Sequence, residues 1–171
     1  MKTVTLFRHA KSGEKGNPNI GDFDRPLAGR GLKAAPKMGK AMRDHKLRPD
    51  LILCSPSVRT RQTLSLAAPE AWDDLPAVRF EERLYEASSQ TLFKALQELP
   101  EDIAHVMIAG HNPGLQELAI ALAPPGSSAR EQFKEKMPTS AVVSFDIETE
   151  RWAILKPGTG RLRLSISPSS L

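Results

Sequence analysis

Leu51-Ile52-Leu53-Cys54-Ser55-Pro56 and Val106-Met107-Ile108-Ala109-Gly110-His111-Asn112-Pro113 read alike. Each is a short apolar run followed by a small polar residue that can cap a helix, then a proline whose fixed φ suits the first helical position. The first therefore predicts a buried strand with a helix starting at Ser55-Pro56. The second predicts a strand over Ala104 to Ala109 and a helix carrying Leu115, Leu118, Ala119 and Leu122 on one side. Working outward, Thr3 to Phe7 is another β-prone run, ending at Arg8-His9 and followed by a polar Gly/Asn/Pro loop from Ser12 to Asp24. Leu32, Ala35, Met38 and Met42 recur at helical spacing, which predicts a helix from Gly29 to His45 with a kink or late start at Pro36. Val78 and Phe80 mark a third strand, and Ser89 is placed to cap a helix bearing Leu92, Phe93, Leu96 and Leu99.

The C-terminal third reads differently. Pro124 to Pro138 is polar, with Ser128 and Glu131 spaced as a capping box for a short charged helix in a solvated excursion. Val143, Phe145 and Ile147 alternate, as do Trp152 and Ile154, so the chain is expected to finish in antiparallel strands. Repeated strand–helix units closed by such strands predict an α/β fold in three layers: a mostly parallel central sheet with helices on both faces and antiparallel C-terminal strands. At 171 residues the chain has the size of one ordinary domain, expected to span 1–171.

Composition narrows the function classes. The longest apolar runs are a handful of residues, well short of the roughly 20 that cross a bilayer, so no membrane partner is expected. The N-terminus lacks the apolar core and cleavage site of a secretory signal, and the single cysteine, Cys54, suits a reducing compartment; a cytoplasmic location is the expectation. A formal charge of +4 is mild. It can steer acidic or phosphorylated partners, but with few aromatics and no recognised module a nucleic-acid partner is not expected.

Four residues fall at equivalent places in this pattern. Arg8 and His9 leave the first strand, Arg59 lies in the first turn after the second, and His111 follows the fourth. In open α/β sheets the carboxyl ends of strands form the ligand crevice, so residues about fifty positions apart can converge there. Two guanidinium forks and helix N-termini suit the oxygens of a phosphoryl dianion, and an imidazole nitrogen can attack its phosphorus. His45 and His105 lack such partners and are assigned to the surface or to an ordinary hydrogen bond.

Arg8-His9-Ala10-Lys11-Ser12 resembles the arginine–histidine–glycine signature of the histidine phosphatase superfamily, in the form used by SixA-type phosphohistidine phosphatases. Asp24-Arg25-Pro26-Leu27 with Gly31, then Ser55-Pro56-Ser57-Val58-Arg59-Thr60-Arg61-Gln62-Thr63, then Gly110-His111-Asn112-Pro113-Gly114, are similar to its later motifs in order and approximate spacing, covering about residues 3 to 122. The resemblance implies His9 as a transiently phosphorylated nucleophile, Arg8 and Arg59 as phosphate clamps, and His111 as a phosphate ligand in the transition state. It implies no metal and no cofactor, and as partner a phosphorylated protein, a histidine phosphotransfer domain being one candidate. Leu84-Tyr85-Glu86 resembles the place where mutase-like and broad-specificity members carry an acidic proton donor. That makes Glu86 the candidate acid, although the glycine-rich continuation of the motif is absent and a solvated carboxylate is the alternative. A weak donor favours P–N over P–O cleavage, because an imidazole leaves far more readily than an alkoxide.

Rival readings fare less well. Cys54 and Arg59 are separated by four residues where cysteine phosphatases have five, and Cys54 closes an apolar strand, where a buried thiol is inert. The glycines at Gly29, Gly31, Gly158 and Gly160 form no nucleotide-binding loop and read as turns. Two alternatives stay open: a broad phosphomonoesterase of the same superfamily, and a non-catalytic phosphoprotein-binding module on the same fold, whose mark would be loss of the nucleophile.

Overall fold

Alternation along the strands sorts the apolar side chains into two cores. A computed structural model describes residues 1–171, and in it β1 (Lys2–Arg8) sends Val4 and Leu6 to one face of the sheet and Phe7 to the other. The same split divides Leu51 and Leu53 from Ile52 and Cys54 in β2 (Leu51–Cys54), and Val106 and Ile108 from Met107 and Ala109 in β4 (His105–Gly110). A strand buried on both faces needs helices on both. On one face lie α1 (Gly29–Asp44) and α2 (Val58–Ala71), contributing Met38, Met42, Leu64 and Ala67. On the other lie α3 (Ser89–Gln97), α4 (Gly114–Leu122) and α5 (Ser128–Glu135), contributing Leu92, Leu96, Leu115, Leu118 and Phe133.

The sheet has six strands in the order β3-β2-β4-β1-β5-β6, with β3 at Ala77–Phe80, β5 at Val142–Ile147 and β6 at Gly160–Ile166. Pairing is parallel from β3 to β1 and antiparallel across β1–β5 and β5–β6. This is the three-layer α/β architecture read from the sequence. The register sets the strand ends level: Arg8 pairs with Gly110, and Cys54 with Ala109. The ladder continues one residue beyond, with His9 N–H donating to Gly110 O and Ser55 N–H to Ala109 O, both at 3.0 Å. The residues that follow β1, β2 and β4 thus emerge together at one edge.

Local expectations needed correction where side chains serve something other than the helix. The helix after β2 starts at Val58, not at Ser55-Pro56, and its cap residue Ser57 makes no side-chain capping bond. The reason is competition: Ser55 Oγ is 2.8 Å from His111 Nε2, and Ser57 Oγ is 2.7 Å from Thr60 Oγ1. Pro113 occupies the cap position of α4 and not its first turn, while Asn112 Oδ1 accepts from Gln116 N–H. α1 runs unbroken through Pro36. Pro36 has no N–H to donate to the Leu32 carbonyl, and Leu32, 46% exposed, lies outside the core.

α3 and α5 are capped by Ser88 and Ser127, one residue before the expected Ser89 and Ser128, and Glu131 pairs with Lys134 instead of completing a capping box. Adjacent serines offer equivalent hydroxyls, so sequence spacing cannot separate them. The excursion around α5 is anchored by the fully buried Phe133. Trp152 and Ile154 do not form a strand: they lie in a 3-10 turn, Trp152 buried with its indole N–H donating to Ile103 O at 2.7 Å. The last strand is β6, where Leu162 and Leu164 alternate with exposed residues. Gly160 opens that strand; Gly158, at φ +77°, is a turn as expected.

Candidate active site

At the carboxyl edge of β1, β2 and β4 a recess of about 420 Å³ has no hydrophobic side chain in its lining. All five residues singled out in the sequence, Arg8, His9, Arg59, Glu86 and His111, line it. Lys11, Lys15 and Arg25 join them, so cations outnumber the two carboxylates, Glu14 and Glu86. Such a surplus makes the recess receptive to a multiply charged anion.

His9 is held from three sides. Its backbone N–H is tied to Gly110 O, its carbonyl accepts from Ser140 N–H, and its ring Nδ1 is 2.7 Å from Ala10 O. A carbonyl only accepts, so Nδ1 carries the proton and Nε2 keeps its lone pair. Burial, then the neighbouring guanidinium groups of Arg59, Arg8 and Arg25, push the ring's pKa down to about 4, with the Ala10 hydrogen bond opposing. The ring is therefore neutral at pH 7. The segment after it is pinned to α2 by Ala10 N–H donating to Thr63 Oγ1, which in turn donates to Arg59 O.

His111 stands 5.4 Å away, ring centre to ring centre. Its Nδ1 faces Arg59 Nη2 at 3.3 Å. Arginine has no acceptor, so Nδ1 is the lone-pair nitrogen and Nε2–H donates to Ser55 Oγ. Desolvation and the charges of Arg59 and His9 push this imidazole down to about 3. Arg59 itself is 3% exposed, and Arg8 directs Nη1 to Met137 O at 2.9 Å. Each of Arg8, Arg25 and Arg59 keeps a buried Nε without a hydrogen-bond partner.

Two glycines allow this convergence. A Cβ on Gly31 would meet Lys11 O at 2.1 Å, and one on Gly114 would meet Ala87 O at 2.1 Å. Only a residue without a side chain lets α1 press against the loop after His9, and α4 against the turn holding Glu86. In that turn Glu86 has a left-handed backbone, φ +50°, and its carboxylate reaches 3.9 Å from Arg59 Nη2 while remaining 60% exposed.

Sequence reasoning assigned no role to Asp22, Arg25 or Tyr85. Asp22 Oδ1 accepts from Arg25 Nη2 at 2.9 Å and Oδ2 from Arg59 Nη2 at 3.1 Å; its main-chain oxygen accepts from Arg59 Nη1 at 2.7 Å, and Tyr85 Oη donates to Oδ2. These bonds hold its carboxyl well below the usual range, the Tyr85 contribution being the largest. Arg25 sat inside a motif recognised in the sequence and Tyr85 beside the candidate acid. Asp22 had no signal, because two of its three partners lie 37 and 63 residues away and the near one, Arg25, is an ordinary i,i+3 ion pair. His45 is exposed and His105 Nε2 is 2.7 Å from Thr5 Oγ1, as assigned. Cys54 is fully buried with its thiol raised to about 12 by burial, so it takes no part in this edge. No group of three or more His, Cys, Asp or Glu side chains is placed to hold a metal ion.

A family model for the histidine phosphatase superfamily (branch 1) matches residues 4–143. The chain belongs to that superfamily. An uncharacterized protein of Mycobacterium tuberculosis is 35% identical over 159 residues, covering 91% of this chain and 96% of its own. Among solved structures, the SixA-named protein of Agrobacterium tumefaciens superposes with a TM-score of 0.81 at 28% identity, over 98% of both chains. The SixA-named protein of Nakamurella multipartitia gives 0.81 at 25%, over 98% of this chain and 96% of that one. Superfamily membership accounts for the histidine–arginine pairing at the sheet edge. It leaves the substrate and the individual residue roles to be argued from the site.

Proposed function

We propose that this superfamily member is a phosphatase that carries the phosphoryl group transiently on His9 and acts on phosphohistidine in a protein. The observation that carries this reading is the neutral, backbone-pinned His9, its Nε2 lone pair free within a ring of guanidinium groups. In the first step Nε2 attacks phosphorus in line and the bond to the substrate's imidazole nitrogen breaks, that imidazole leaving neutral because it either carried a proton on its other nitrogen or takes one from water. In the second, water attacks the phosphorus of phospho-His9, releasing orthophosphate and restoring the neutral ring. Arg8 and Arg59 bind the equatorial oxygens, where charge gathers in the transition state, and Arg25 adds to the field. His111 contributes once the dianion stabilises its protonated form, giving Nδ1 a proton to donate.

The likeness to SixA-named phosphohistidine phosphatases supports a P–N bond as target. So does the character of the acid candidates: Glu86 is mostly exposed with no apolar wall around it, and Asp22 is committed to Arg59, Arg25 and Tyr85. Neither is set up to protonate an alkoxide. A second reading, a broad phosphomonoesterase, draws on the position of Glu86 in the recess lining. Rates on a phosphohistidine peptide and on an alkyl phosphate, measured for the wild type and Glu86→Gln, separate the two. The proposed activity gives preference for phosphohistidine and a change below about tenfold in the variant, whereas loss of a true general acid costs on the order of 10² or more. Efficient alkyl phosphate hydrolysis that Glu86→Gln abolishes would establish the phosphomonoesterase instead. In favour of a protein substrate, the recess is lined by polar and charged residues without a hydrophobic side chain, Ser12 to Lys15 of the loop after His9 and Thr139 among them. A cytoplasmic place of action follows from the same reading; no helix is long and apolar enough to cross a membrane.

A further inference from the structure

A second recess, about 430 Å³ in volume, adjoins the first and shares Lys11 and Thr139 with it. One wall carries Lys11, Arg30, Lys33 and Lys37; the other is formed by hydroxyl residues, among them Thr139 and Ser167. No acidic side chain lines it. Arg30, Lys33 and Lys37 follow one another along α1 at spacings of three and four, and Lys40 continues the row, so all four cations occupy one helix stripe. None of them, nor Lys11, makes a salt bridge or side-chain hydrogen bond within the chain.

This arrangement costs the helix stability on two counts. Like charges three and four apart repel, and α1 has no acidic residue in its first turn, where Arg30 stands at the positive end of the helix dipole. Some exposed cations are neutralised locally, as Arg83 is by Glu98 and Arg161 by Asp146, and the unpaired remainder, such as Arg48, Arg79 and Lys156, do not line this groove. The α1 stripe is left uncompensated, and it leads directly from the site.

We propose that the α1 groove is the docking surface for an acidic segment of the protein substrate, placed next to the phosphorylated side chain in the recess. This rests on the phosphohistidine reading for the identity of the group in the site, but not for the docking itself. From Arg30 to Lys40 the stripe runs about 15 Å at 1.5 Å per residue. An extended segment spans that in roughly five residues and a helical one in roughly ten. A nucleic-acid strand is the poorer occupant, since the groove offers charge without a single aromatic side chain for base stacking.

The test uses the full chain and peptides of about 20 residues with a histidine in the middle: one with glutamates on both flanks, one with serines instead. Binding of the labelled, unphosphorylated peptides is followed by fluorescence anisotropy at low and high salt, with oligo-dT of equal charge as a third probe. The triple variant Arg30→Gln/Lys33→Gln/Lys37→Gln is compared with the wild type, and circular dichroism checks that α1 is retained. The same peptides, phosphorylated on histidine, and free phosphohistidine then serve as substrates. Expected is at least about tenfold tighter binding of the acidic peptide, lost at high salt and in the triple variant, with a matching rise in KM and little change on free phosphohistidine. Equal binding of the two peptides, an acidic preference surviving in the triple variant, or tighter binding of oligo-dT would overturn the docking proposal. Charge-dependent binding without turnover of any phosphohistidine would leave docking standing and reject the phosphohistidine reading.

Discussion

Lowering the pH from 7.5 to 5 should destabilise this protein far more than its carboxylates explain, because three imidazoles are held neutral in the fold. His9 and His105 are depressed to about 4 and His111 to about 3, in each case chiefly by burial. In the unfolded chain all three titrate near 6.5. The unfolded state therefore binds more protons than the native state between the two values, and stability falls as the pH drops through 6.5, levelling off only near the folded pKa. At pH 5 each unfolded histidine gains about 1.36 kcal/mol per pH interval below 6.5, or roughly 2 kcal/mol, and the three together on the order of 6 kcal/mol. That approaches the whole stability of an ordinary domain, about 5–15 kcal/mol. Urea unfolding at both pH values measures the difference, and His105→Gln, outside the recess, should remove about a third of it. A stability unchanged at pH 5, or a pH dependence that His105→Gln leaves intact, would refute the claim that these rings are buried neutral. The same property keeps the lone pair on His9, so the cost in acid is a consequence of keeping the proposed nucleophile ready at pH 7.

His9→Ala should abolish turnover while leaving phosphate binding measurable, since Arg8, Arg59 and His111 remain; rapid quench of the wild type with labelled substrate should trap an acid-labile, base-stable phosphoenzyme absent from the variant. Activity should survive both a chelator and Cys54→Ser, and a loss with chelator that returns on adding metal would replace the proposed chemistry with a metal-assisted one. Gly31→Ala should displace the loop after His9, because its Cβ would sit 2.1 Å from Lys11 O; a loss of stability of about 1–3 kcal/mol and at least a tenfold fall in kcat/KM are expected, by denaturation and steady-state kinetics.

How legible this was from sequence depends on the range over which each interaction acts. The strands β1, β2 and β4 were readable because burial on both faces forces continuous apolar runs, and the helices between them because α1, α3 and α4 repeat apolar residues at helical spacing. Helix starts were less readable, since one hydroxyl can serve two masters: Ser55 suits a cap in isolation, but in the fold it accepts from His111 Nε2. Trp152 and Ile154 alternate as a strand would, yet the indole N–H finds Ile103 O and the segment turns.

The site divides along the same line. His9 and His111 directly follow β1 and β4, Arg8 ends β1 and Arg59 lies in the first turn of α2, so the level ends of β1, β2 and β4 bring all four to one recess. Asp22 belongs to a loop that no periodicity governs, and only the folded chain shows it bridging Arg25, Arg59 and Tyr85. That bridge has a consequence for binding. Asp22 takes one N–H from each terminal nitrogen of Arg59, through its main-chain oxygen and its side chain, which leaves Nε–H and the second Nη1 N–H for a phosphoryl group. Its negative charge opposes the binding of any phosphate, while its bonds orient the Arg59 fork that we propose meets the transition state. An anion that adopts trigonal-bipyramidal geometry, such as vanadate, is therefore expected to inhibit more strongly than phosphate, and equal inhibition constants for the two would refute that.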